Sequence, residues 1–377
     1  MSKPIRILQV FGKMNRGGAE ALIMSIYNSI DRDHMQFDFV VHTSDKCDYD
    51  KEIEQLGGTI YRIPRFNVIN IFKYIQAWRA FFKMHHKDYK VIHGHMGATA
   101  AIYLWLAKQY GLFAIAHSHN TKNTKKNIRY YVYRFFSWPT RNIADHLFGC
   151  SDAAGKDRFG KNVLKKHNYK TIKNGINTEK FAFDVGKRQA LRTELGIEDR
   201  FVIGHIGRFM TQKNHRFILD IFSKVRKINS DAFLLLVGDG SMRADIEDMA
   251  DILGIKEHVK FAGVRADIPD LLCAMDVFLF PSLWEGLGIV LIEAQANGLV
   301  CIASDVVPKE AKVTNLLEYL SLSESSTYWA NQVTKATQYK RSENTHKIVA
   351  QAGYDIADTI KYLQELYLGA YKRSHKR

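Results

Sequence analysis

Pro281-Ser-Leu-Trp-Glu285-Gly-Leu-Gly288-Ile-Val-Leu-Ile-Glu293 is the stretch on which the fold turns. Before it, Val277-Phe278-Leu279-Phe280 is a short run of strand-favouring residues that stops at a proline. After it, apolar residues recur at helical spacing from Leu287 to Ala296, up to Asn297-Gly298. This reads as strand, loop, helix. Glu285 falls in the loop and Glu293 about two turns into the expected helix, so both can face one cleft beyond the strand's carboxyl end. Gly286 and Gly288 leave the backbone bare at the helix start, where unpaired N–H groups and the helix dipole favour an anion such as a diphosphate. An ordinary βα connection with two solvated acids carries the same pattern, so the stretch needs support from the rest of the chain.

That support comes from three more strand ends in the second half. Strand-like runs at Phe201 to Ile206, Phe233 to Val237, Val259 to Ala262 and Val300 to Ala303 alternate with helical patterns at Phe217 to Ile228, Met242 to Leu253 and Ile268 to Ala274. The first run leads into Gly207-Arg208-Phe209-Met210-Thr211-Gln212-Lys213-Asn214, the second into Gly238-Asp239-Gly240, and the third into Gly263-Val264-Arg265. Open α/β sheets bind ligands at such ends. Arg208 and Lys213, a fork and a point charge one loop apart, suit a diphosphate. Two cations on a surface loop are commonly just solvated; four glycine turns on one sheet edge argue for more.

The first half repeats the architecture. Ile5 to Val10 is a buried-type strand, followed by a glycine-rich turn that includes Gly12, Gly17 and Gly18, and by a helix through Ile30. The spacing is not G-x-G-x-x-G and the loop holds basic residues, so a dinucleotide is not favoured. Further strand runs at Phe37 to Val41, Thr59 to Ile63, Val91 to His93, Phe113 to Ala116, His146 to Gly149 and Lys170 to Ile172 imply a second parallel sheet covered on both faces. The pattern breaks at the charged stretch Asp184 to Arg200 and then restarts. The expected division is a first domain over 1–180, a second over 181–355, and a last helix and basic tail over 356–377 that packs back on the first.

Composition limits the function classes. With 377 residues and 46% hydrophobic content, the chain can bury two cores. It opens without an apolar leader, and no run is long enough to span a bilayer, so a cytoplasmic place is expected. Cys47, Cys150, Cys273 and Cys301 have no paired spacing, which argues against a disulfide framework or a zinc site. A formal charge of +15 calls for an anionic partner: nucleic acid, an anionic membrane or a phosphate-bearing substrate. No zinc-finger or RRM-like pattern is present, so nucleic acid is the weakest of the three.

Taken in order, G-G-A-E at 17–20, K-N-G-I at 173–176, G-R-F-x-x-Q-K-N at 207–214, V-G-D-G at 237–240 and P-S-x-x-E-G-x-G-x-x-x-x-E at 281–293 resemble one family. It is the retaining glycosyltransferases of family 4 ("group 1"), which includes bacterial capsule and exopolysaccharide enzymes. The resemblance spans nearly the whole chain. It implies a GT-B fold, two Rossmann-like parallel-sheet domains facing across a cleft, and hexosyl transfer from a nucleotide sugar, most readily a UDP-sugar, without a metal cofactor. It further implies that Arg208 and Lys213 neutralise the donor diphosphate, Glu285 contacts the sugar hydroxyls and Glu293 holds the ribose. The backbone of Gly286, Leu287, Gly288 and Ile289 would take the distal phosphate, and Val264 and Arg265 would border the base. Gly17, Gly18, Gly207, Gly238 and Gly240 would keep the donor edge open.

His117-Ser118-His119-Asn120 follows a strand, and family resemblance places a histidine of this region against the donor sugar. His119 is favoured, because His117 still belongs to the strand. His93 and His95 are weaker candidates, and without clustered carboxylates or cysteines these histidines are not expected to hold a metal. Asp31-Arg32-Asp33 and Asp48-Tyr49-Asp50 are set aside as chance acidic strings in polar connections.

The segment from Lys122 to Arg141 interleaves Lys122, Lys125, Lys126, Arg129, Arg134 and Arg141 with six aromatic residues, among them Trp138. A basic, aromatic helix fits docking to the anionic inner face of a membrane, where a lipid-linked saccharide acceptor would lie, and the segment from Asn70 to Lys90, with Trp78, Phe81, Phe82, Lys83 and Lys87, would extend the same face; aromatic core residues with solvated cations is the competing reading. Two further classes stay open, a sugar-nucleotide epimerase of related fold and a non-catalytic nucleotide-sugar-binding module.

Overall fold

The computed structural model describes residues 3–97, 99–119 and 128–374. It divides into two compact units, Met1–Gly175 with Ile356–Arg377, and Ile176–Asp355. Each is built on one parallel sheet.

In the first unit the strands are β1 (Ile5–Phe11), β2 (Met35–Val41), β3 (Ile60–Arg62), β4 (Tyr89–Gly94), β5 (Phe113–Ser118), β6 (His146–Gly149) and β7 (Tyr169–Thr171). They lie in the order β3-β2-β1-β4-β5-β6-β7. Both faces are covered, which is why the strands read as continuous apolar runs instead of alternating ones. One face carries Ile7, Val91, Ile115 and Phe148 under the helix Gly18–Ser29 and the last helix, Ile356–Ser374, which contributes Leu363 and Tyr367. The other carries Leu8, Val10, Ile92 and Ala116 under Trp78, Phe82 and Leu104.

In the second unit the strands are β8 (Phe201–Ile206), β9 (Ala232–Val237), β10 (Val259–Phe261), β11 (Val277–Phe280), β12 (Val300–Ser304) and β13 (Leu317–Leu320), ordered β10-β9-β8-β11-β12-β13. β13 has no counterpart in the sequence reading: Leu-Glu-Tyr-Leu lacks the continuous apolar run that marks β11. Order reverses between β8 and β11, so the crevice at their carboxyl ends is the topological switch point, the place where such sheets bind ligands. The charged stretch after Gly175 forms the helix Val185–Leu195, whose Arg188 and Arg192 clasp Asp276 just before β11.

The helix after β11 spans Ile289–Ala296 and begins two residues later than its apolar pattern implies. Gly288, in the left-handed region at φ 74°, turns the chain first. Glu293 therefore sits little more than one turn into the helix, not two.

Candidate functional site

Backbone hydrogen bonds join the four glycine turns of the second unit into one continuous edge. Gly238 N donates to Gly263 O (2.8 Å), Gly207 N to Val237 O (2.9 Å) and Phe209 N to Asp239 O (3.0 Å). A Cβ on Gly238, whose φ is 132°, would lie 2.1 Å from the Gly207 carbonyl oxygen, so the approach of these two loops requires glycine there. On the other side of the switch point, Leu283 N donates to Gln212 O (2.8 Å), Gln212 Nε2 to Trp284 O (2.8 Å) and Asn214 Nδ2 to Pro281 O (3.1 Å). Asn214, at φ 58°, is the one described non-glycine residue with positive φ. The sequence reading gave Gln212 and Asn214 no role; they lash the two loops together.

That lashing places Lys213 against Glu285, Nζ to Oε1 at 2.5 Å, with the side chains 15% and 7% exposed. Lys213 Nζ also lies 4.5 Å from the centre of the Phe280 ring. An ammonium has three N–H donors, so the pairing leaves Lys213 capacity for a ligand. Arg208 is exposed on the same loop. Glu293 has no side-chain hydrogen bond or ion pair among the described residues, and burial holds its carboxyl up at about 7. Gly286 has open space around it, and no side chain caps the helix behind Gly288. The N–H groups of that first turn are thus available to an anion.

The remaining donor candidates are placed less uniformly. Val264 is exposed, while Arg265 is engaged by Asp267 through two bonds of 2.8 and 2.6 Å. Gly17 and Gly18 belong to the first unit, where Gly17 precedes and Gly18 opens the helix Gly18–Ser29.

In the first unit, β4 and β5 bring four imidazoles onto one face. β5 includes His117, which is buried, and His119 follows just outside it. His95 Nδ1 lies 2.7 Å from His119 Nε2, and His95 Nε2 lies 2.9 Å from Gln9 Oε1. Arg158 donates to the carbonyls of His117 and Met96 at 3.2 and 2.8 Å and so fixes both strand ends; nothing in the sequence marked it. Loss of hydration on burial, followed by the Arg158 charge, lowers His119 to about 3 and keeps its ring neutral.

Of the membrane candidates, Lys122, Lys125 and Lys126 lie outside the described residues, and Arg129 is described only as part of the helix Ile128–Ser137. Arg134 and Trp138 are partly buried: Arg134 donates to the Asp157 carbonyl, and Trp138 takes the guanidinium groups of Arg134 and Arg141 at 4.3 and 3.9 Å from its ring. Trp78, Phe81 and Phe82, expected to extend that face, are buried in the first unit's core instead, and other side chains form the exposed apolar surface. Ile69, Phe72 and Phe135 are 94%, 83% and 76% exposed, and Phe66 against Phe136, ring centres 5.5 Å apart, joins the two segments that carry them. No described helix is long and apolar enough to cross a membrane.

Residues 187–354 match the family described as Glycosyl transferases group 1, and residues 16–180 match Glycosyltransferase Family 4. The chain belongs to this family of glycosyltransferases, and is a transferase enzyme. It is 32% identical over 382 residues to the putative glycosyltransferase EpsF of Bacillus subtilis (strain 168), covering 99% of this chain and 98% of that one. It is 25% identical over 315 residues to a UDP-Gal:alpha-D-GlcNAc-diphosphoundecaprenol alpha-1,3-galactosyltransferase of Escherichia coli, covering 80% of this chain and 81% of that one. The crystal structure of Anabaena HepE in complex with UDP and glucose is similar with a TM-score of 0.72 at 19% identity, over 96% of this chain and 99% of that one. The fold is GT-B.

Proposed function

We propose that this enzyme moves a sugar from a UDP-sugar to a lipid-linked saccharide, with retention at the anomeric carbon, during assembly of a capsule or exopolysaccharide. The observation that carries the reading is the enclosed Lys213–Glu285 pair at the switch point of the second unit, beside the exposed Arg208 and an uncapped helix start. Departure of a nucleoside diphosphate puts charge on its phosphates. Two cations and a helix amino terminus stabilise that charge without a divalent ion. Glu285, held by Lys213, would take sugar hydroxyls, and Glu293 the ribose hydroxyls, which supply the partners its carboxyl lacks in the chain.

The acceptor belongs to the first unit in this reading, with neutral His119 facing the donor sugar. The acceptor hydroxyl attacks C1 on the face the leaving group departs from. As the C1–O bond to the diphosphate breaks, the acceptor proton passes to the departing phosphate oxygen. The named activity of the Escherichia coli relative, a UDP-galactose donor and a diphosphoundecaprenol-linked acceptor, supports this substrate pair, as does UDP bound in the HepE structure.

Access to such an acceptor calls for a place at the anionic inner membrane face. Ile69, Phe72 and Phe135 would insert, with the cations of the 122–141 segment on the headgroups. Thermal shift with UDP-, GDP- and ADP-sugars tests the donor assignment, because a ligand of the folded state raises the midpoint by mass action. UDP-sugars should stabilise, and a response confined to GDP- or ADP-sugars would overturn it.

A further inference from the structure

Every second residue of a strand faces the same side, so His-x-His at 93–95 and again at 117–119 stacks four rings. The pairing of β4 with β5, His93 opposite Ile115, sets the two pairs side by side. Ring centres are 4.2 Å apart for His93 and His95, 5.4 Å for His93 and His117, and 3.9 Å for His117 and His119. Gln9, opposite His93 on β1, shares the face.

This cluster is buried and short of partners. His93, His95 and His117 are 0%, 8% and 1% exposed. His93 Nε2, both ring nitrogens of His117, His119 Nδ1 and Gln9 Nε2 make no hydrogen bond among the described residues. Each such buried group is costly if nothing satisfies it. Five in one cluster mark a place that takes a ligand.

We propose that His93, His95 and His117 bind one divalent cation of the zinc type, pinning the carboxyl ends of β4 and β5. One nitrogen from each of the three residues lies within 4.8 Å of the other two. Nitrogens at zinc–imidazole distance from one ion are about 3.4 Å apart in a tetrahedral set, so each ring closes by about 1 Å or less. Three neutral imidazoles without carboxylates suit zinc and its neighbours, not magnesium or calcium.

The supporting contacts fit as well. Metal-bound histidines usually use their second nitrogen on an oxygen of the protein. His93 Nδ1 lies 2.7 Å from the Tyr367 hydroxyl, leaving Nε2 for the ion. His95 Nε2–H donates to Gln9 Oε1, leaving Nδ1, now against His119 Nε2, to turn inward. The ion thereby also fastens the helix Ile356–Ser374 through Tyr367. The three ligands do not include His119, which faces the donor sugar in the proposed function, although His95 now meets it through Nδ1.

The test uses the full chain without a polyhistidine tag. Exposure to Zn2+ followed by gel filtration should leave about one equivalent per chain, as a three-histidine site predicts. Co2+ should give the intense visible bands of a four- or five-coordinate site, and Zn2+ should raise the thermal midpoint. His117→Gln should weaken Zn2+ binding by more than about tenfold, the lower bound for losing even an indirect supporter of a ligand. His34→Gln, at an exposed histidine, should leave binding intact. No zinc retained by the folded wild type, only the weak bands of octahedral cobalt, or equal retention by a folded His117→Gln would overturn the proposal. Should His117→Gln not fold, His95→Gln and the cobalt spectrum of the wild type decide.

Discussion

Replacing Lys213 by methionine removes the cation 2.5 Å from Glu285 Oε1, where the two side chains are 15% and 7% exposed. Breaking a fully buried pair costs about 3–5 kcal/mol, because a charge is left without its partner; with Lys213 still touching water, about 2–3 kcal/mol is expected. At roughly 2–4 °C per kcal/mol for a unit of this size, the thermal midpoint falls by about 5–10 °C. The double variant Lys213→Met with Glu285→Gln buries no unpaired charge and should recover most of that loss. Turnover separates from stability. Each single variant should lose at least about a hundredfold, some 2.7 kcal/mol of transition-state stabilisation, and the double variant should stay at least as slow. Calorimetry reads the first quantity, and UDP release in the presence of acceptor reads the second. If turnover returns with stability in the double variant, or both singles run near the wild-type rate, the pair is a structural ion pair and the donor assignment fails.

Three further expectations follow from the same sites. The Glu293 carboxyl is raised from 4.5 to about 7 by burial, so the folded chain binds that proton more tightly than the unfolded one, and stability falls as pH rises through this window. Glu293→Gln should flatten that slope by up to about 3 kcal/mol in urea unfolding; UDP affinity should rise as this carboxyl ionises between about pH 6 and 8 in the wild type and not in Glu293→Gln, and an unchanged pH profile removes Glu293 from the ribose site. Turnover should proceed without added Mg2+ or Mn2+, and an absolute requirement for either would contradict charge stabilisation by Arg208, Lys213 and the helix start. Anionic vesicles should sediment the wild type and release it at high salt, while Ile69→Ser with Phe72→Ser, or Glu at Lys125, Lys126 and Arg129, should weaken binding; equal binding by both variants refutes the docking surface.

Where function demands local backbone features, the sequence displayed them. Glycines at the ends of β8, β9 and β10 and after β11 marked one edge of the sheet because the approach of Gly238 to the Gly207 carbonyl admits no side chain. Pairings across the sheet were less legible. The Lys213–Glu285 contact spans 72 positions and depends on Gln212 and Asn214 bonding to carbonyls, which no local pattern announces. The repeated His-x-His was visible, but only the register of β4 against β5 turns it into one cluster. In the basic, aromatic segment, periodicity did not say which rings face in: Trp138 lies between two arginines, whereas Ile69 and Phe72, from a different stretch, are exposed. β13 was missed because Leu317-Glu-Tyr-Leu320, with Glu318 exposed inside it, lacks the continuous apolar run that marks the equally short β11.

The most direct test of the account is to incubate the purified chain with each UDP-sugar, with and without a diphosphate-linked lipid saccharide, and to follow UDP release and the product's anomeric configuration. Transfer by this site predicts acceptor-dependent UDP release matched by one new glycoside, with the donor's configuration kept at C1. Interconversion of UDP-sugars without acceptor would identify an epimerase, binding without any UDP release a non-catalytic module, and an inverted linkage would contradict attack on the leaving-group face.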